Sequence, residues 1–179
     1  RNGSVPPGRL GLLPCALDEV WRGQYSKGAT ESVAGPESHR LLTVARLAAS
    51  ERYKGIDSII RALPEVSRSV PDVTYDVVGD GDDRPRLEEL ARDLGVAGRV
   101  RFRGRLWPDE LAEAYRDSAL FAMPSSKEGF GIVFLEAALF GKPSVAGRHG
   151  GSPEVVEDGV SGVLVDREDV PGIAASITR

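Results

Sequence analysis

Two glutamates eight positions apart, Glu128 and Glu136, flank the turn Gly129-Phe130-Gly131 in the stretch KEGFGIVFLE. Glu136 interrupts an apolar run, with Ile132 to Leu135 before it and Ala137 to Phe140 after it. A carboxylate in such a run costs stability unless it is paired, hydrogen-bonded or reaching water. Gly129 and Gly131 free the backbone to approach a ligand closely, and a helix starting there offers unpaired amides that favour an anion. Glu128 stands just before that helix start and suits a group rich in hydroxyls. Glu136, about a turn and a half further on, suits a second hydroxyl-bearing unit on the far side of the anion. Sugar, phosphate and ribose in that order describe a nucleotide sugar. The spacing alone equally allows a Glu128 that caps the helix and a Glu136 paired with a distant arginine.

Arg46 follows the apolar stretch Leu41 to Val44, and Lys54-Gly55 precedes a helical pattern. Arginine offers a planar fork for phosphate oxygens and lysine a mobile point charge, so the two could neutralise a diphosphate. Taken alone, they could equally be solvated surface cations. The loop Gly79-Asp80-Gly81-Asp82-Asp83-Arg84 starts like a dinucleotide fingerprint, but Arg84 stands where the third glycine belongs and three aspartates would repel a pyrophosphate. Asp80-Gly81-Asp82 admits a divalent-metal reading; the plainer one is an acidic helix start, with Asp82 or Asp83 capping free amides. No G-x-x-x-x-G-K-[ST] phosphate loop is present.

The elements that must position these groups alternate. Short apolar strands are expected at Leu41 to Val44, Val73 to Val78, Val100 to Phe102, Leu120 to Met123, Ser144 to Ala146 and Val163 to Val165. Between them fall helical patterns. Ile56, Ile59, Ile60 and Leu63 share one face, with Pro64 bending or ending that helix. Leu87, Leu90, Ala91 and Leu94 share another, stopped by Gly95. Pro108 to Asp117 begins with a proline suited to a first turn, and Asp169 starts a last helix. Alternation of this kind implies right-handed crossovers and a mainly parallel sheet covered on both faces, a Rossmann-like three-layer α/β/α domain. Such sheets bind ligands at the carboxyl ends of their strands.

The bulk properties agree with an ordinary globular domain: 179 residues, 41% hydrophobic and 28% charged. Lys plus Arg at 23 against Asp plus Glu at 27 gives a net charge of −4, which argues against a general nucleic-acid or membrane binder. Cys15 is the only cysteine, so no internal disulfide forms, and a buried structural thiol in a reducing compartment is expected. No apolar run is long enough to span a membrane, and no signal peptide is visible. The chain starts at Arg1 without a methionine and stops within the helical pattern of Ile173 to Thr178, so it reads as part of a larger protein. Residues 1–40 read as a connector and loop leading into a domain that occupies 41–179.

From about Leu41 to Val165 the sequence resembles the C-terminal domain of family-4 (group 1) glycosyltransferases of the GT-B fold. The resemblance rests on VARL…RYKGID, VVGDGDDRPRLEELA, RVRFRGRL, FAMPSSKEGFGIVFLEAALFGKPSVAG and GGSPEVVEDGVSGVLV, with Glu128 and Glu136 matching an E-x7-E signature. It implies that Glu128 binds hydroxyls of the transferred sugar and Glu136 the ribose. Arg46 and Lys54 would clamp the diphosphate, and Phe130, Gly131 and Ile132 would offer backbone contacts. Arg105 and Leu106 would lie near the base, and Gly79 would leave room for the nucleoside. It further implies a nucleoside-diphosphate sugar donor, retention of anomeric configuration, no cofactor and no metal in transfer. An N-terminal acceptor-binding domain of the same polypeptide would complete the site, in the cytoplasm or against its membrane surface. Alternatives are a non-catalytic nucleotide-sugar module and a relative such as a nucleotide-sugar epimerase or a phosphorylase. His149 is expected on the surface and Trp107 in packing.

Overall fold

The computed structural model describes residues 39–179. The predicted connector, apart from its last two residues, and Cys15 lie outside them. Six strands form one sheet: β1 (Arg40–Val44), β2 (Thr74–Val78), β3 (Val100–Gly104), β4 (Leu120–Met123), β5 (Ser144–Gly147) and β6 (Gly162–Val165). Their order is β3-β2-β1-β4-β5-β6, and every neighbouring pair is parallel. This is the doubly wound Rossmann-like arrangement. The chain reverses direction across the sheet between β1 and β4, the place where such sheets open a crevice.

The six helices are α1 (Ile56–Ser69), α2 (Arg84–Asp93), α3 (Pro108–Asp117), α4 (Ile132–Leu139), α5 (Ser152–Val155) and α6 (Val170–Ile177). Strand residues alternate between two cores, as the period-2 geometry of a strand requires. Leu41, Tyr75, Val77, Ala122 and Val145 join α1, α2 and α6 on one face. Leu42, Val78, Phe121, Met123 and Ala146 join α3 and α4 on the other. Both faces are largely apolar, which is why the inner strands read as nearly continuous hydrophobic runs, while the edge strand β3 alternates with the exposed Arg101 and Arg103.

Pro64 neither ends α1 nor breaks its packing. Its ring removes the amide that would bond the Ile60 carbonyl, yet the buried stripe Ile56, Ile59, Ile60 and Leu63 continues to Val66. Burial of Val66 and the packing of α1 on α6 outweigh one lost hydrogen bond. The other elements follow the sequence closely, α3 and β4 to the residue. Asp169 caps α6 through the Gly172 amide at 3.0 Å. Three short elements had no sequence signal, the 3-10 turns Ala49–Lys54 and Ala97–Arg99 and the single-turn α5.

Candidate donor-binding site

Backbone hydrogen bonds join the loops at the carboxyl edge of the sheet into one rim. The Leu47 amide donates to the Asp80 carbonyl at 3.0 Å and the Asp83 amide to the Leu47 carbonyl at 2.8 Å, tying the loop after β1 to the loop after β2. The Ser126 amide donates to the Tyr53 carbonyl at 2.9 Å, tying the β1 loop to the β4 loop. The Gly151 amide donates to the Glu128 carbonyl at 2.7 Å, which carries the rim on to the loop after β5. Gly79 donates to the Gly104 carbonyl at 2.7 Å on the opposite side.

Two adjoining cavities open along this rim. One, of about 240 Å³, is lined by Lys54, Glu128, Phe130, Gly131, Ile132 and Val133 among others. The second, of about 500 Å³, is lined by Arg46, Lys54, Gly79, Asp80, Arg105 and Leu106 among others. Val44, Lys54 and Val133 are common to both. Together they are on the scale of small-ligand sites. They bring together every residue expected to bind the donor except Glu136. A third cavity, of about 310 Å³, lies away from this rim beside Lys142 and Val160. The Lys142 ammonium there is already committed to the Arg116 carbonyl at 2.8 Å.

Helix α4 starts at the cavity wall. Gly131 precedes it in the left-handed region at φ 67°, and no side chain caps it. The Phe134 amide donates to the Gly131 carbonyl at 2.9 Å; the amides ahead of it in the first turn are left for water or a ligand, and the helix dipole favours an anion there. Glu128 therefore does not cap the helix. Its carboxylate has no hydrogen-bond or ion-pair partner among the described residues. Gly79 has a structural reason to be glycine. At φ 124°, a Cβ on it would come within 1.9 Å of the Ala45 carbonyl oxygen. Close approach of the β1 and β2 loops requires glycine here, and Gly79 also lines the larger cavity.

The two cations meet on a third group. Glu51, in the 3-10 turn, takes Arg46 on one carboxylate oxygen, and Lys54 Nζ lies 2.7 Å from the other. Its side chain is 10% exposed, against 18% for Lys54 and 71% for Arg46. Lys54 and Arg46 hold the Glu51 carboxyl below the ordinary glutamate range, and Glu51 in turn raises the Arg46 guanidinium. The pair thus presents one net positive charge rather than two. The aspartates after β2 are engaged differently from expectation. Asp82 accepts the Ala49 amide at 2.7 Å, at the start of the 3-10 turn. Asp83 receives Arg52 at 2.9 Å and Arg86 at 2.5 Å. Neither side chain caps α2. Among the described residues no three His, Cys, Asp or Glu side chains gather as a metal ion would require.

Glu136 is mostly buried on α4, and its partner is a tyrosine rather than an arginine. The Tyr115 hydroxyl, on α3, donates to Glu136 Oε2 at 2.7 Å. Burial pushes the Glu136 carboxyl above its ordinary value, and the Tyr115 hydrogen bond opposes this. His149 is exposed, with Nε2 3.2 Å from Asp166 Oδ1. Trp107 is 79% exposed, which corrects the packing role expected for it. Its amide bonds the Glu110 carboxylate at 2.8 Å at the start of α3.

The family profile described as "Glycosyl transferases group 1" matches residues 38–179. The chain belongs to this family. It is 44% identical over 131 residues to the GDP-mannose-dependent alpha-(1-6)-phosphatidylinositol monomannoside mannosyltransferase of Mycolicibacterium smegmatis, covering 69% of this group 1 chain and 34% of the relative. It is 40% identical over 133 residues to the D-inositol 3-phosphate glycosyltransferase of Corynebacterium kroppenstedtii, covering 70% and 30%. Among solved structures, the pneumococcal O-GlcNAc transferase in complex with UDP and GlcNAc matches with a TM-score of 0.74 at 25% identity, covering 84% of this chain and 30% of that one. The Anabaena protein HepE in complex with UDP-glucose matches with a TM-score of 0.70 at 29% identity, covering 88% and 41%. The group 1 chain thus spans about a third of the length of the curated relatives it matches. No described helix is long and apolar enough to cross a membrane.

Proposed function

We propose that this group 1 domain is the donor-binding half of a retaining glycosyltransferase that needs no metal in its transfer step and takes a nucleoside-diphosphate sugar. The observation that carries the reading is the convergence of Lys54, Arg46, Glu128 and the uncapped start of α4 on two adjoining cavities at the β1–β4 switch point. The diphosphate lies against Lys54, Arg46 and the α4 amides, which meet the charge that grows on the leaving group. Glu128, with a carboxylate no other described side chain occupies, orients the sugar hydroxyls. Glu136 takes the ribose, and Arg105 and Leu106 face the base. A relative that is GDP-mannose-dependent and solved neighbours in complex with UDP or UDP-glucose support a nucleotide-sugar ligand.

The acceptor belongs to a separate N-terminal domain of the complete polypeptide, so the chain by itself binds donor and turns over nothing. Calorimetric titration with a panel of GDP, UDP and dTDP sugars tests the reading. Saturable binding of one donor supports it; binding of none, by folded protein, contradicts it. Multiple turnovers by the 179-residue chain alone would contradict the half-site assignment.

A further inference from the structure

We propose that Tyr115 is a positioning residue for the donor: its hydroxyl fixes the Glu136 carboxylate in the orientation that receives the ribose. The inference rests on the ribose role proposed for Glu136.

Tyr115 is fully buried on α3. Its ring stacks on Phe140 at 5.4 Å between centroids with 3° between planes, and leans on Phe121 at 6.0 Å and 33°. The aromatic packing fixes where the hydroxyl can be. That hydroxyl lies 2.7 Å from Glu136 Oε2 and 3.5 Å from the Val133 carbonyl, one turn earlier on α4. A side chain needed only for packing would gain nothing from the oxygen, since a buried hydroxyl must find a partner merely to break even. Here the partner is the one carboxylate in the apolar helix Ile132–Leu139. A glutamate has three rotatable side-chain bonds, and anchoring one of its oxygens before the ligand arrives removes an ordering cost from binding. Oε2 is held by Tyr115, and the remaining acceptor capacity of the carboxylate is what the ribose hydroxyls use. The contact joins helices that both lie on the same face of the sheet, so one change in α3 reaches the ligand through α4.

The test compares wild type, Tyr115→Phe, Glu136→Ala and the double variant in titrations with GDP, UDP and inorganic pyrophosphate, alongside melting temperature. Pyrophosphate reports the cation site without a ribose. Tyr115→Phe keeps the ring, so the fold should persist. The expected result is a five- to tenfold weaker nucleoside diphosphate, unchanged pyrophosphate, and a double variant no weaker than Glu136→Ala alone. Wild-type affinity in Tyr115→Phe, with Glu136→Ala weakened, would overturn the positioning role and leave the ribose reading standing. Equal losses for pyrophosphate and nucleotide would also overturn it, as general damage. No effect of Glu136→Ala, or no nucleotide binding by wild type, would overturn both.

Discussion

Lys54 Nζ lies 2.7 Å from Glu51 Oε2, and the other oxygen of the same carboxylate takes Arg46. The two cations assigned to a diphosphate are thus neutralised in part by a group that a diphosphate must share them with. Glu51→Gln removes that competing charge at nearly constant shape. Pyrophosphate and nucleoside diphosphate should bind ~3-fold tighter at low salt, and the gain should shrink as salt screens the site. Titration at two ionic strengths checks it. Weaker binding in the variant would mean that Glu51 arranges the cations rather than competing for them.

Glu136 should cost the fold stability where it serves the ligand. Its carboxyl is raised above the ordinary value of 4.5, chiefly by burial. A raised folded-state value means that the fold favours the protonated form. Its relative stabilisation is complete below the ordinary value and lost as pH rises through the raised one. At pH 7 the ionised form is therefore disfavoured by the fold, and Glu136→Gln should raise Tm. The difference should vanish towards pH 4, while nucleotide affinity falls in the variant at pH 7. Thermal melts at both pH values decide the matter; a Tm lowered at pH 7 would contradict the sign.

Gly79→Ala should fail structurally before it fails functionally. The added carbon meets the Ala45 carbonyl oxygen at 1.9 Å, and φ 124° strains any side chain. The expected loss is about 2 kcal/mol or more of stability, read by denaturant unfolding. A well-folded variant with weakened nucleotide binding would instead assign Gly79 chiefly to making room for the nucleoside.

A chelator should leave donor affinity and transfer unchanged. Asp82 is engaged by the Ala49 amide and Asp83 by Arg52 and Arg86, so the acidic loop is committed to holding the β1 and β2 loops together. Activity lost on chelation and restored by a divalent cation alone would contradict this.

Much of this architecture was legible because a doubly covered parallel sheet makes its inner strands largely apolar, and because glycine and proline mark the loops between them. Gly95 and Asp169 stop and start helices as their chemistry suggests. Pro64 misled because local propensity competes with burial, and the burial of Val66 lies beyond the proline. The candidate site was legible where chemistry and loop position coincide, as in Glu128 and Gly131, which line one cavity, whereas Glu136 lines neither. Glu51 was overlooked although a glutamate three positions before Lys54 is a local signal. Tyr115 had no such signal, since its contact with Glu136 depends on how two helices sit side by side. The aspartates after β2 do not cap α2 because only the folded loop brings Asp82 to the Ala49 amide and Asp83 to Arg52 and Arg86.

The central claim is that Glu128 and Glu136 hold different parts of one donor, and a paired titration of Glu128→Ala and Glu136→Ala tests it most directly. Free nucleoside diphosphate and the intact donor sugar are measured against each folded variant. Losing hydrogen bonds to a charged group costs about 1.5–3 kcal/mol, well within calorimetric resolution. Glu136→Ala should weaken both ligands alike, whereas Glu128→Ala should spare the free diphosphate, weaken the intact donor and depress transfer in the complete enzyme. Folded variants that bind every ligand as the wild type does would contradict the account.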